Sequence, residues 1–254
     1  MELVYTHDLK SCAARHVGSI PTSGTSMYPF RSKILWVALI VSLLAICILS
    51  IQENSFQFFY YPLWLALGYL FLNNSRERLV RWHTRPWIKF LLLGYGAVLV
   101  EEIIVAFVHT LGGTFTLPDF LSQVQQFWAF NILAFTGFII AWYILTRRFS
   151  YSIRDIFIVA GVWGLFSEHI FANALSYPVA AALLVLPVMY SYFFIAAPAV
   201  VSTPVPTAKT ISKPLLYVVS LAIILACSII PVLVLQQVRE RVPRIFPPCE
   251  YIPC

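Results

Sequence analysis

Charge is what this chain has least of. Lys, Arg, Asp and Glu make up 11% of its 254 residues, against about 25% in an ordinary soluble domain. That scarcity excludes a soluble globular fold. With 60% hydrophobic residues and a mean hydropathy of +0.81, there is more apolar surface than one water-facing domain can bury. No cleavable leader is expected either. The first thirty residues are polar and mixed, with Lys10, Arg15 and His16, and no apolar stretch there runs into a small-residue cleavage site. The first apolar run, from Lys33, is expected to be a retained signal anchor. The five cysteines form no metal-ligand spacing. Cys47 and Cys227 lie inside apolar runs and read as packing residues, whereas Cys249 and Cys254 close a Pro-rich tail and are the one candidate disulfide pair. No internal repeat of the transporter kind is present.

What the chain does have is apolar length. A bilayer core about 30 Å thick takes roughly twenty residues of helix at 1.5 Å each. Seven stretches approach this: 34–51, 56–72, 88–109, 127–146, 156–175, 179–201 and 215–235. The expected fold is therefore all-α, a polytopic integral membrane helix bundle of about seven transmembrane helices. Pro187 and Pro198 in the sixth stretch and Pro231 in the seventh are expected to kink those helices. The chain divides into a cytoplasmic arm (1–33), a membrane core of six helices (34–201), a Pro-containing cytoplasmic linker (202–213), a seventh helix (214–236) and a C-terminal tail (237–254).

Orientation follows from where the basic residues fall. Arg76, Arg78, Arg81, Arg85 and Lys89 follow the second stretch, Arg147, Arg148 and Arg154 the fourth, and Lys209 and Lys213 the sixth. The alternate connections, 52–55, 110–126 and 176–178, hold no Lys or Arg. Positive charge stays on the cytoplasmic side, so the N-terminus is expected in the cytoplasm and the C-terminus outside a cell membrane. Arg239, Arg241 and Arg244 in the tail run against this pattern. The formal charge of +6 suits membrane loops, and no nucleic-acid partner is expected. The expected partners are the lipid bilayer and either a membrane-protein substrate or partner subunits.

Three acidic residues stand where the bilayer disfavours them: Glu101 and Glu102 in the third stretch and Glu168 in the fifth. A charge at the bilayer centre costs about 2.5–3.5 kcal/mol on insertion scales, and such residues usually serve function. Counted from the basic ends at 1.5 Å per residue, Glu101 and Glu102 lie roughly 18–20 Å along, and Glu168 and His169 roughly 21–23 Å along. The two pairs share a level in the outer half. His109 stands two helical turns beyond Glu102 on the same face, Asn173 shares a face with His169, and Asn131 can join from the fourth stretch. Glu101, Glu102 and Glu168 are the candidate catalytic residues, with His109, His169 and Asn131 as substrate or metal contacts. His109, His169 and Glu168 are the candidate ligands for a divalent metal such as zinc. Such a set can hold a metal, or can bind and deprotonate water. It can equally be a hydrogen-bond network that joins helices.

The run Val100-Glu101-Glu102-Ile103-Ile104 resembles the start of the Glu-Glu-x-x-x-Arg motif of the CPBP glutamate-type intramembrane proteases, which include the CAAX-processing enzymes. The stretch 154–171, with Gly161, Gly164 and then Glu168, is similar to the Gly-rich helix of the PrsW-type relatives. These matches cover about thirty residues. Ala106 stands at the arginine position, and no histidine follows His169, so the final histidine motif is absent. The resemblance implies a membrane-embedded hydrolase in which Glu101 or Glu102 activates water. The competing reading is non-enzymatic: an accessory subunit of a membrane complex, or a proton-coupled transporter.

Overall fold

The computed structural model describes residues 33–52, 56–203 and 211–242. The arm 1–32 and the tail, including the expected Cys249–Cys254 pair, lie outside the described residues. Within them the chain is helical, with α1 (Lys33–Gln52), a 3-10 turn (Phe56–Phe59), α2 (Tyr60–Arg81), α3 (Pro86–Leu111) and α4 (Leu117–Arg148). Then come α5 (Ile153–Ser167), the single turn α6 (Ile170–Asn173), α7 (Pro178–Ser202) and α8 (Lys213–Arg241).

Start signals explain several boundaries. Proline stands in the first turn of α3, α4, α7 and α8, where its missing N–H costs nothing. Thr116 caps α4 by accepting from the Asp119 amide at 3.2 Å. That cap starts α4 ten residues before the apolar run at 127, so 117–126, expected as loop, is helix. Ser152 and Asp155 close a capping box on α5. Helices α7 and α8 run on through Pro187, Pro198 and Pro231.

Five helices are long and apolar enough to cross a membrane: α1, α3, α4, α7 and α8. Two of the seven expected stretches fall short of that length and hydropathy among the described residues, for two reasons. The second half of α2 is polar, with Asn73, Asn74, Glu77, Arg78 and Arg81. The fifth stretch, expected to run unbroken to 175, stops as a helix of 15 residues at Ser167. These five helices fit a multi-pass membrane protein, and their outward faces agree. Ile34, Val37, Ile40, Leu44 and Ile48 of α1 and Ile229, Ile230 and Leu233 of α8 are exposed, as residues facing lipid should be.

The interior is organised around α7. It packs against α1, α2, α3 and α5, while α8 lies along α4. From Tyr190 to Val200 every residue of α7 is buried, and Tyr190, Phe193 and Phe194 stack with one another and with Phe157 of α5. Gly137 sets the α4–α8 approach. A Cβ there would meet the backbone of Ser228 and lie 2.7 Å from the Cys227 carbonyl oxygen, the close contact that small residues permit between membrane helices. Helix direction alternates, so the ends of α2, α4 and α7 gather with the starts of α3, α5 and α8. This end carries Arg78, Arg81, Arg85, Lys89, Arg147, Arg148, Arg154 and Lys213. At the far end, Arg239 of α8 sits 5.8 Å from the centroid of the Phe130 ring of α4.

Candidate functional site

Two cross-links fix α3 against α4 at the level of the glutamates. Trp128 Nε1 donates to the Leu99 carbonyl at 3.0 Å, and the Tyr95 and Thr136 hydroxyls bond at 2.7 Å. Trp128 thus ties two helices together. Between these links Asn131 of α4 lies close to the Glu102 carboxylate. Glu101 and Glu102 are neighbours on a helix that turns about 100° per residue, so they address different partners. Glu101 accepts from the Ser191 hydroxyl of α7. Both carboxylates are buried, with 6% and 8% exposure.

Glu168 enters from α5. Its Oε1 accepts from the Tyr192 hydroxyl at 2.7 Å, and the Ser167 hydroxyl donates to the same Tyr192 oxygen at 2.8 Å. Glu168 is exposed as a residue, so it stands at the open side of the cluster. It lies near enough for Glu101 and Glu102 each to feel its charge. Tyr60 and Tyr61, at the start of α2, stack with ring centroids 4.1 Å apart and feel the charges of Glu101 and Glu168. Five helices therefore converge on one group of carboxylates, hydroxyls and an amide. Among the described residues no Lys or Arg belongs to it, and neither the Arg81–Glu77 pair nor the Lys213–Asp155 pair touches it.

The backbone breaks at this group. His169 has φ 54° and ψ 22°, the left-handed region that costs a side-chain-bearing residue about 1–3 kcal/mol. Helix α5 ends there, with the Glu168 amide on the Gly164 carbonyl at 2.9 Å and the His169 amide on the Phe166 carbonyl at 3.2 Å. Irregular backbone at membrane depth is tolerated where protein or a polar cavity takes up its groups. His169 stands as the N-cap of α6, and its carbonyl accepts the Asn173 amide one turn on at 2.9 Å. Gly164 makes room for the arrangement, since a Cβ there would lie 2.5 Å from Tyr192 Cδ2.

His109 is turned elsewhere. It is exposed at the end of α3, where its Nδ1 bonds Gln123 Nε2 at 2.7 Å and its ring meets Phe127 edge-on. Among the described residues no group of three His, Cys, Asp or Glu side chains could hold a metal ion. The expected set of His109, His169 and Glu168 is thus not assembled as a zinc site, because the helix break and the Gln123 bond take the histidines apart. The structure does bring Glu101, Glu102, Glu168 and Asn131 together. It adds Ser191, Tyr192, Ser167, Tyr60 and Tyr61. Of these, the adjacent hydroxyls Ser191-Tyr192 inside an apolar run were a readable signal. No family model, curated protein or solved structure matches the chain.

Proposed function

We propose that the chain is a multi-pass cell-membrane protein of seven spans, with α2 and α5 completing the five long apolar helices, and that its carboxylate cluster hydrolyses peptide bonds within the membrane. The observation that carries the reading is a buried glutamate pair with no Lys or Arg in its cluster among the described residues, faced by an amide and several hydroxyls. A structural network this deep is usually neutralised. The basic residues at one end support an N-terminus in the cytoplasm and a C-terminus outside.

The chemistry follows the placement. Glu102 takes a proton from a water molecule as its oxygen bonds to the scissile carbonyl carbon. The Asn131 amide steadies the negative charge that develops on the carbonyl oxygen. Ser191 holds Glu101 in a fixed orientation beside the base. As the C–N bond breaks, the leaving nitrogen takes the proton, passed through the carboxylate group whose outer member, Glu168, is held by Tyr192. The products are a carboxylate and an amine. The substrate class is a membrane-spanning polypeptide, reached from the open side at the α5 break.

A second reading rests on one observation: Glu168 stands at the exposed edge of a group whose other carboxylates are buried, the layout of a proton carrier. One pair of experiments separates the two. N-terminal peptide profiling of membranes carrying the wild type or Glu102→Gln should reveal new N-termini inside apolar segments in the wild type alone. In parallel, the purified full chain in liposomes with a trapped pH dye should leave proton flux at background. Identical peptide profiles would defeat the hydrolase reading, and proton flux abolished by Glu102→Gln would put the carrier in its place.

A further inference from the structure

The basic end of the bundle holds a cavity of about 180 Å³ lined by Thr84, Pro86, Lys89, Tyr143, Arg147 and the Ser202–Thr203 pair, with Thr146 behind them. It lies at the opposite end of α3 from the glutamates. Lys89 is its unusual member. It sits on the first turn of α3 and is only 4% exposed, yet the contact recorded for its ammonium is one long hydrogen bond to the Val80 carbonyl at 3.5 Å. Buried ammonium groups need several close acceptors or an opposite charge. The lining supplies no opposite charge: it contains no Asp or Glu, and Arg147 adds a second cation.

The hydroxyls are arranged around those cations. Thr146 donates to the Trp142 carbonyl, and Ser202 and Thr203 both donate to the Ala199 carbonyl. The Tyr143 hydroxyl carries no hydrogen bond among the described residues, so its proton is free to donate into the cavity. Helix ends contribute in both directions. The start of α3 offers about half a positive charge, and the ends of α4 and α7 about half a negative charge each. Two full cations outweigh that balance, so the cavity is a positive one. Its place, between helix ends on the basic rim, is where the headgroup layer of the cytoplasmic leaflet would lie.

We infer that this cavity binds a phosphate group, with Lys89 as the buried anchor, Arg147 as the outer clamp and Tyr143 as a neutral donor. A phosphate oxygen gives the Lys89 ammonium the acceptor it lacks, and Arg147 reaches phosphate in the bidentate manner its guanidinium favours. The group can arrive as the headgroup of an anionic phospholipid or as a free phosphate, and the two sources are separable by experiment.

The full-length protein is reconstituted into nanodiscs of phosphatidylcholine with or without phosphatidic acid, and separately titrated with inorganic phosphate in phosphatidylcholine discs. Thermal unfolding and the lipid retained after detergent extraction are read. The expected result is a higher unfolding temperature and preferential retention of phosphatidic acid. Arg147→Gln, at an exposed position, should keep the fold and weaken the preference about fivefold, the worth of one basic contact near the surface. Lys89→Met should abolish it. If Lys89→Met does not fold, Tyr143→Phe serves as the second internal variant and should weaken the preference too. Stabilisation by inorganic phosphate alone would assign the site to a soluble ligand. Equal behaviour in both lipid mixtures with no response to phosphate, or a preference unchanged in Arg147→Gln and in the internal variant, would overturn the inference.

Discussion

The two ends of α5 each present an acidic residue, and they are treated in opposite ways. At the basic end Asp155 is 1% exposed and fully provided for. Lys213 Nζ lies 2.5 Å from its Oδ2, the Tyr217 hydroxyl 2.9 Å from Oδ1, and the Ser152 amide and hydroxyl at 2.8 and 2.7 Å. At the other end Glu168 joins Glu101 and Glu102 in a group with hydroxyl and amide donors and no Lys or Arg. Asp155 ties the start of α8 to the start of α5, which is what a structural carboxylate does. A carboxylate kept deep in apolar surroundings without a cation lowers stability, and its retention points to work on another molecule.

The sharpest way to break this comparison is to neutralise each side in turn. If the cluster hydrolyses peptide bonds as proposed, Glu102→Gln keeps the shape and removes the base, so cleavage should fall about a hundredfold to ten-thousandfold, the range for loss of a general base. The unfolding temperature should hold or rise. Leu at 102 or 168 tests the opposing view, because a purely structural network would lose stability there through its orphaned partners. A drop of several degrees in Glu102→Gln with cleavage intact would reverse the assignment.

At the basic end the expected effect is on stability. Asp155→Ala removes a capping box and a charged contact to a lysine that is itself 56% exposed. The cost should be about 1–3 kcal/mol in unfolding free energy, with cleavage per folded molecule unchanged. Denaturation of the purified chain in mild detergent measures this.

Gly164→Ala sharpens the comparison from within α5. Its Cβ would displace Tyr192 and so loosen Glu168 without altering any titrating group, and cleavage should fall about tenfold, the effect of a small misplacement at a reacting centre. Gly96, where a Cβ meets nothing within 4 Å, supplies the silent control. An equal loss in Gly96→Ala would show that helix composition, and not Tyr192, is responsible.

The smallest effect is the dependence of stability on pH. Burial works against the Asp155 carboxylate, but hydrogen bonds from Lys213, Ser152 and Tyr217 outweigh it and hold the pKa below the usual Asp value. A folded pKa lower than the unfolded one, about 3.9, means the contribution is present in full above that value. It is lost as pH falls through the folded value. Melting curves of the wild type and Asp155→Asn should therefore differ above about pH 4 and converge in stronger acid. A difference that persists unchanged in acid would show that the ion pair is not its source.

Much of the frame was legible in residue order. Apolar runs located α1, α3, α7 and α8 to within a few residues, because twenty apolar residues in a row have one stable outcome in a bilayer. Glu101, Glu102, Glu168 and Asn131 were legible as a group because depth along a helix is arithmetic. Other features were not. Asp155 stands just ahead of the apolar run from 156, and only Lys213, 58 positions on, reveals it as a latch. Thr116 moved the start of α4 outward, and His169 broke a run that hydropathy presents as continuous.

The sequence by itself determined that this chain forms apolar helices, which of their ends are basic, and that three glutamates fall within apolar runs. Those properties are local, set by residue type and by the fixed rise of a helix. Tertiary structure alone decided that Ser191 and Tyr192 of α7 supply the hydroxyls to those glutamates, that His109 turns to Gln123, and that Lys89 and Arg147 share a cavity. Such pairings depend on which helix faces which, and that is settled by close packing, such as Gly137 on the α8 backbone and Gly164 on Tyr192.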